Sequence, residues 1–190
     1  MTRIIGGQGK GRRLKTPAGD ATRPTGARVR QTLFDILAPE VPGCRFLDAF
    51  AGSGGVGLEA LSRGAAVVVL VDLSAAAAAT LRDNVRALAG AGGEARVHRQ
   101  DARVALAGLA GAGETFDVIY LDPPYDSDLY EPLLEAVGAK GLLSPGGVAV
   151  AEHFKKKALP ETIGNLVRVR EARVGDHRLS FYRQAILGGA

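Results

Sequence analysis

A chain of 190 residues with 46% hydrophobic and 23% charged side chains can bury one sizeable core and is too apolar for a disordered polymer. No apolar run approaches the roughly 20 residues that a membrane-spanning helix needs, and Met1-Thr2-Arg3-Ile4-Ile5-Gly6 does not read as a secretory signal. A single cysteine, Cys44, excludes an internal disulfide framework and fits the cytoplasm, while His98, His153 and His177 lack metal-ligand spacing, so no metal is expected.

The net charge of +4 is unevenly spread: residues 1–33 carry eight Lys/Arg against Asp20 alone, and the remainder has 16 basic and 19 acidic residues. A basic arm on an otherwise acidic domain points to a polyanion. Arg3-Ile4-Ile5, a glycine turn and Gly11 to Lys15 read as a short hairpin. Its cations Arg3, Lys10, Arg12, Arg13 and Lys15, with Arg23, Arg28 and Arg30, are candidate contacts to RNA phosphates. Thr25 is placed to cap a helix from Gly26 to about Ala38, with Val29, Leu33, Phe34 and Leu37 on one face.

Short apolar runs then alternate with helical segments, predicting strands at 45–50, 66–71, 95–99, 116–121 and 147–152. Ser74 caps an alanine-rich helix through Leu88. Such alternation predicts an α/β, Rossmann-like fold with a mostly parallel sheet and helices on both faces. Residues 166–174 and 178–187, joined at Gly175-Asp176, close the chain as an antiparallel hairpin. Residues 41–190 are read as the core domain and 1–40 as a hairpin-plus-helix extension packed on it.

After the first of these strands comes Gly52-Ser53-Gly54-Gly55-Val56-Gly57, and a helical segment follows. Strand, glycine turn and helix form the entry to a nucleotide site, because small residues let backbone N–H groups approach a ligand. The glycines alone do not separate a dinucleotide from S-adenosyl-L-methionine. Asp48 beside the loop disfavours a pyrophosphate and suits a cationic amino group. Asp72 ends the next strand, where it suits ribose hydroxyls, and Asp101 follows the third, where it can accept from an adenine amine. Ala51, Gly52, Ser53, Gly54, Gly57, Leu73, Ala102 and Asp122 complete the candidate cofactor set.

The fourth strand runs into Asp122-Pro123-Pro124-Tyr125. Two prolines stiffen this ledge, the acid and the carbonyls supply acceptors, and Tyr125 supplies a flat face. Together they suit a planar base bearing an exocyclic amine. Read alone, Pro-Pro after a strand marks a turn and each acid a surface group or helix cap. The order of all four points instead to one ligand and an acceptor beside it.

The segment Phe46 to Ala65, FLDAFAGSGGVGLEALSRGA, with the DPPY ledge, resembles the class I S-adenosylmethionine-dependent methyltransferases. More narrowly, it resembles the small bacterial family that methylates the N2 amine of a guanine in 16S ribosomal RNA. Arg3-Ile4-Ile5-Gly6-Gly7, Thr22-Arg23-Pro24-Thr25, Val29-Arg30 with Leu33-Phe34, and the closing Gly175-Asp176 with Leu179 to Tyr182 carry that narrower match. Asp72 stands where the family usually has Glu, and Gln31 replaces a usual Glu. The resemblance implies a seven-stranded sheet and Asp122, Pro123, Pro124 and Tyr125 as the catalytic set. It also implies a monomer acting on 16S rRNA in the small ribosomal subunit. A DNA adenine-N6 methyltransferase is the nearest alternative, although no recognition-sized insertion separates the strands. A non-catalytic ribosome-assembly protein and a nicotinamide-dependent dehydrogenase are the others.

Overall fold

The computed structural model describes residues 2–17, 26–90, 92–124 and 127–185. Thr2–Arg3 (β1) pairs antiparallel with Arg13–Leu14 (β2), so the basic arm is a hairpin. Ala27–Ile36 (α1) buries Val29, Leu33 and Phe34 along one face and ends two residues short of the expected span. Gly26 stands at its N-cap; Thr25, the expected cap, lies outside the described residues, as does Arg23.

The main sheet is built from Arg45–Asp48 (β3), Val67–Asp72 (β4), Glu94–Arg99 (β5), Phe116–Leu121 (β6), Leu143–Phe154 (β7), Thr162–Ile163 (β8), Leu166–Val174 (β9) and His177–Gln184 (β10). Their order is β5-β4-β3-β6-β7-β10-β9-β8. The first five are mutually parallel, and β10 is antiparallel to both β7 and β9. The two-residue β8 is an edge beyond the expected seven strands and pairs only Leu166 and Val167 of β9. β7 is twice the expected length because it absorbs Pro145-Gly146-Gly147 in an irregular stretch, where its pairing with β6 shifts register.

Side-chain alternation assigns each strand residue to one of two cores. Phe46, Val68, Leu70, Val118, Tyr120 and Val150 face α1, Gly57–Ser62 (α2) and Ala75–Ala87 (α3). Ile4 and Leu14 of the hairpin lie in this same core. Leu47, Val69, Val71, Ile119, Leu121 and Ala149 face Ala102–Gly111 (α4) and Tyr130–Ala139 (α5). Burial on both faces explains the unbroken apolar runs of β4 and β6. Ser74 caps α3 as expected, its Oγ accepting from Ala77 N–H at 3.3 Å. No helix among the described residues is long and apolar enough to cross a membrane.

The strand order reverses between β3 and β6. Chain connections leave these neighbours in opposite directions, and such a switch point opens a crevice at the carboxyl edge. The glycine loop leaves β3 there and the proline ledge leaves β6 beside it.

Candidate active site at the sheet's carboxyl edge

The glycine loop is pinned by acids. Asp72, half-buried at the end of β4, accepts from Gly52 N–H and from Ser74 N–H, each at 2.8 Å. Asp48 lies beneath the loop with only 1% exposure, accepting from Gly57 N–H at 3.0 Å and Phe50 N–H at 3.4 Å. Burial pushes its carboxyl up to about 7, and Asp72 and Glu152 add to the rise against the two N–H bonds. Gly57 permits the close packing of α2 on the sheet, since a methyl there would overlap Leu70 Cδ2. Gly54 adopts φ +86°, a left-handed conformation suited to glycine.

Asp122 is half-buried at the end of β6, Pro123 is buried and Pro124 exposed. The Tyr120 hydroxyl donates to Glu152, a wholly buried acid on β7. Burial, then Glu152, Asp122 and Asp48, hold that phenol well above its ordinary range. The charges of Asp48 and Asp122 thus act on a hydroxyl that is bonded to Glu152. His177 Nδ1 stands 2.9 Å from Glu152 on the outer side. Asp48, Asp72, Asp122 and Glu152 gather acid groups at this edge of the sheet.

The sequence-derived set divides accordingly. Asp48, Asp72 and Asp122 come together with Ala51, Gly52, Ser53, Gly54 and Gly57. Asp48, expected to meet an amino group directly, is instead sealed under the loop, its oxygens taken up by Gly57 and Phe50 N–H. Asp101 caps α4, accepting from Arg103 N–H at 2.9 Å, and its carboxyl is held below the usual range by the Arg103 side chain. Its neighbour Ala102 is buried. Leu73 after β4 is 66% exposed and Val104 in the first turn of α4 is 55% exposed. These two apolar side chains project beside the carboxyl ends of adjacent strands; Val104 belongs to no sequence motif that would single it out. Tyr125 lies outside the described residues.

The arm is not a loose tail. Glu59 of α2, wholly buried, accepts from Ile5 and Gly6 N–H at 2.7 Å each. Ser62 accepts from Gly9 N–H and donates to the Gly6 carbonyl. The hairpin therefore runs along α2, its turn at Ser62 and its strand ends near the glycine loop. Arg3, Lys10, Arg12, Arg13, Lys15 and Arg28 are exposed, Lys15 pairing with Asp83 at 2.8 Å. Lys10, on the turn, sits at the end of α2 remote from the crevice. Arg30 corrects the expectation outright. It is 2% exposed, and its guanidinium donates to the carbonyls of Gly55 and Arg3 at 3.1 Å each, so it does not meet a phosphate.

Cys44 is buried before β3, away from the crevice, and burial with Asp117 nearby pushes its thiol up to about 12. It is no nucleophile. Among the described residues, no cluster of three His, Cys, Asp or Glu is placed to hold a metal.

This strand order, with a glycine loop after the first core strand, an acid ending the second and a DPP ledge after the fourth, defines a class I methyltransferase fold. The chain belongs to the family described as "Conserved hypothetical protein 95", whose model matches residues 2–183. It is 40% identical over 182 residues to YlbH of Bacillus subtilis (strain 168), covering 96% of this chain and 98% of that one. It is 36% identical to "Ribosomal RNA small subunit methyltransferase D" of Escherichia coli (strain K12), covering 98% and 91%. Among solved structures, a hypothetical protein of Thermus thermophilus superposes with a TM-score of 0.82 at 38% identity, covering 95% and 98%.

Proposed function

We propose that this protein transfers a methyl group from S-adenosyl-L-methionine to the exocyclic N2 amine of a guanine in 16S rRNA of the small ribosomal subunit, in the cytoplasm. The observation that carries this is the adjacency of β3 and β6, which sets the glycine loop beside the Asp122-Pro123-Pro124 ledge. The full-length similarity to a protein named for small-subunit rRNA methylation supports the substrate.

The residues present fit the cofactor. Asp72 keeps acceptor capacity for ribose hydroxyls beyond its two N–H bonds, exposed Leu73 and Val104 offer apolar contact to a purine, and the acids under the loop favour a cationic ligand. When bound, the cofactor supplies an already electrophilic methyl group. The protein's task is then to orient a weak nucleophile, because the guanine N2 lone pair is delocalised into the ring. Asp122 accepts one amine N–H and the Pro123 carbonyl the other, turning the remaining lone pair toward the methyl. The Asp122 carboxylate also offsets the positive charge that develops on nitrogen. The base must leave its stack to reach the ledge, which is easier in looped than in duplex RNA. The exposed arm cations near the loop, Arg3, Arg13 and Lys15, would hold the backbone.

The test is to incubate unmodified small subunits, naked 16S rRNA and duplex DNA with methyl-labelled cofactor and to map the labelled nucleotide by mass spectrometry. N2-methylguanine in the rRNA is expected; label on adenine, or none, would reject the reading.

A further inference from the structure

Two side chains, Tyr130 and Lys157, bond the described backbone on either side of positions 125–126, at Pro123 and Ser127. Lys157, after β7, donates from Nζ to the Ser127 carbonyl at 2.7 Å. The same ammonium lies 5.0 Å from the ring centroid of Tyr130, within cation–π range. Tyr130, wholly buried at the start of α5, donates its hydroxyl to the Pro123 carbonyl at 3.4 Å. Ser127 N–H closes the turn on the Pro124 carbonyl at 2.9 Å. Pro123 on one side and Ser127 on the other are therefore joined through Tyr130 and Lys157.

Ion pairing among the described residues does not account for Lys157. Its carboxylate neighbour Asp128, 3.7 Å away, is fully exposed, and such a pair contributes little. A cavity of about 400 Å³ opens beside it, lined in part by Asp128, Tyr130, Glu131 and Lys157.

We propose that Lys157, acting with Tyr130, is a positioning residue for methyl transfer: it fixes the turn so that Asp122 and the Pro123 carbonyl meet the acceptor amine in register. This rests on reading the ledge as the acceptor site. A carbonyl oxygen has two lone pairs. Tyr130 engages one on Pro123 and so sets the direction of the other. Displacement of a reacting group by about 1 Å costs up to about a hundredfold in rate, so a clasp that touches no substrate still governs turnover.

Lys157→Met, Lys157→Arg and Tyr130→Phe would be compared with the parent in single-turnover methylation of small-subunit RNA and in calorimetric titration with S-adenosylhomocysteine. Lys157→Met should slow transfer about tenfold while RNA KM and S-adenosylhomocysteine affinity stay within about twofold. Lys157→Arg should recover most of the rate, because a guanidinium also bonds a carbonyl and stacks on a ring. Tyr130→Phe should slow transfer as well, and the double variant should lose less than the product of the single losses. An unchanged rate in Lys157→Met, or an equal loss in cofactor affinity, overturns the proposal while the parent remains active. A parent that methylates no RNA would sink the functional reading and the proposal with it.

Discussion

Asn84 of α3 donates its carboxamide N–H to the Ser53 carbonyl at 2.9 Å and grips both backbone groups of Lys15, accepting from its N–H at 2.9 Å and donating to its carbonyl at 3.0 Å. One buried side chain thus ties the end of the arm to the glycine loop. Arg30 does the same from the other strand, joining the carbonyls of Arg3 and Gly55. The hairpin is a brace for the loop as well as a basic surface.

Asn84→Ala leaves three part-buried backbone groups without this partner. We expect a loss of about 1–3 kcal/mol in unfolding free energy and weaker S-adenosylhomocysteine binding in the absence of RNA. Urea denaturation and calorimetry measure the two effects separately. Unaltered ligand affinity in a folded variant would limit the brace to stability.

Arg30 and its exposed neighbours should separate in a salt titration. Arg12→Gln with Arg13→Gln should reduce the slope of log RNA affinity against log salt by about 1–2. Arg30→Met should lower melting temperature and leave that slope unchanged, because its charge faces Gly55 and Arg3 rather than solvent. A reduced slope in Arg30→Met would mean that the guanidinium reaches phosphate after all.

Asp48 gives the fold a distinctive pH response. Its folded value of about 7 lies above the ordinary 3.8, so the folded state binds the proton more tightly. Its contribution is greatest below about pH 4 and is lost as pH rises through 7. Asp48→Asn keeps one acceptor and removes the titration. The parent should therefore lose on the order of a few kcal/mol relative to Asp48→Asn between about pH 5 and about pH 8. Parallel stability curves would show that Asp48 titrates normally.

Asp122→Ala should fold with a melting temperature close to the parent's and bind S-adenosylhomocysteine, yet transfer methyl about 10²–10³-fold more slowly. Rapid quench with labelled cofactor reads the chemical step. Near-parental turnover would remove Asp122 from the reaction.

The residues that announce the site do so because backbone requirements are local. Glycines at 52, 54 and 57, acids ending β3 and β4, and prolines after β6 each mark a strand's end whatever surrounds it. Ser74 is legible as a cap for the same reason. Roles set by packing are not. Arg30 stands among basic neighbours and groups with them by composition, although it precedes Leu33 and Phe34 by three and four positions and so shares their buried helical face. Asp101 shows why an acid in the right order is ambiguous: it accepts from Arg103 N–H as a helix cap does and pairs with the same residue's guanidinium. Glu152, Tyr130 and Lys157 belong to no local pattern. Their partners lie 32, 7 and 30 residues away in the chain, and only the folded sheet brings them together. β8 escapes a sequence reading because two residues are too few for a periodicity, and β7 reads short because Pro145-Gly146-Gly147 has the composition of a turn.

The brevity of β8, with the bond from Arg168 N–H to the Glu161 carbonyl just before it, leaves the outer margin of β9 open from Val169 onward, with no strand beside it among the described residues. Open margins invite another chain to add itself, and Val169, 56% exposed, would welcome it. Arg170, Glu171 and Arg173 instead crowd that rim with exposed charge, which a second copy would have to desolvate before it could zip on. Stripping those charges should raise the protein's tendency to clump, even if every group at the crevice is left intact.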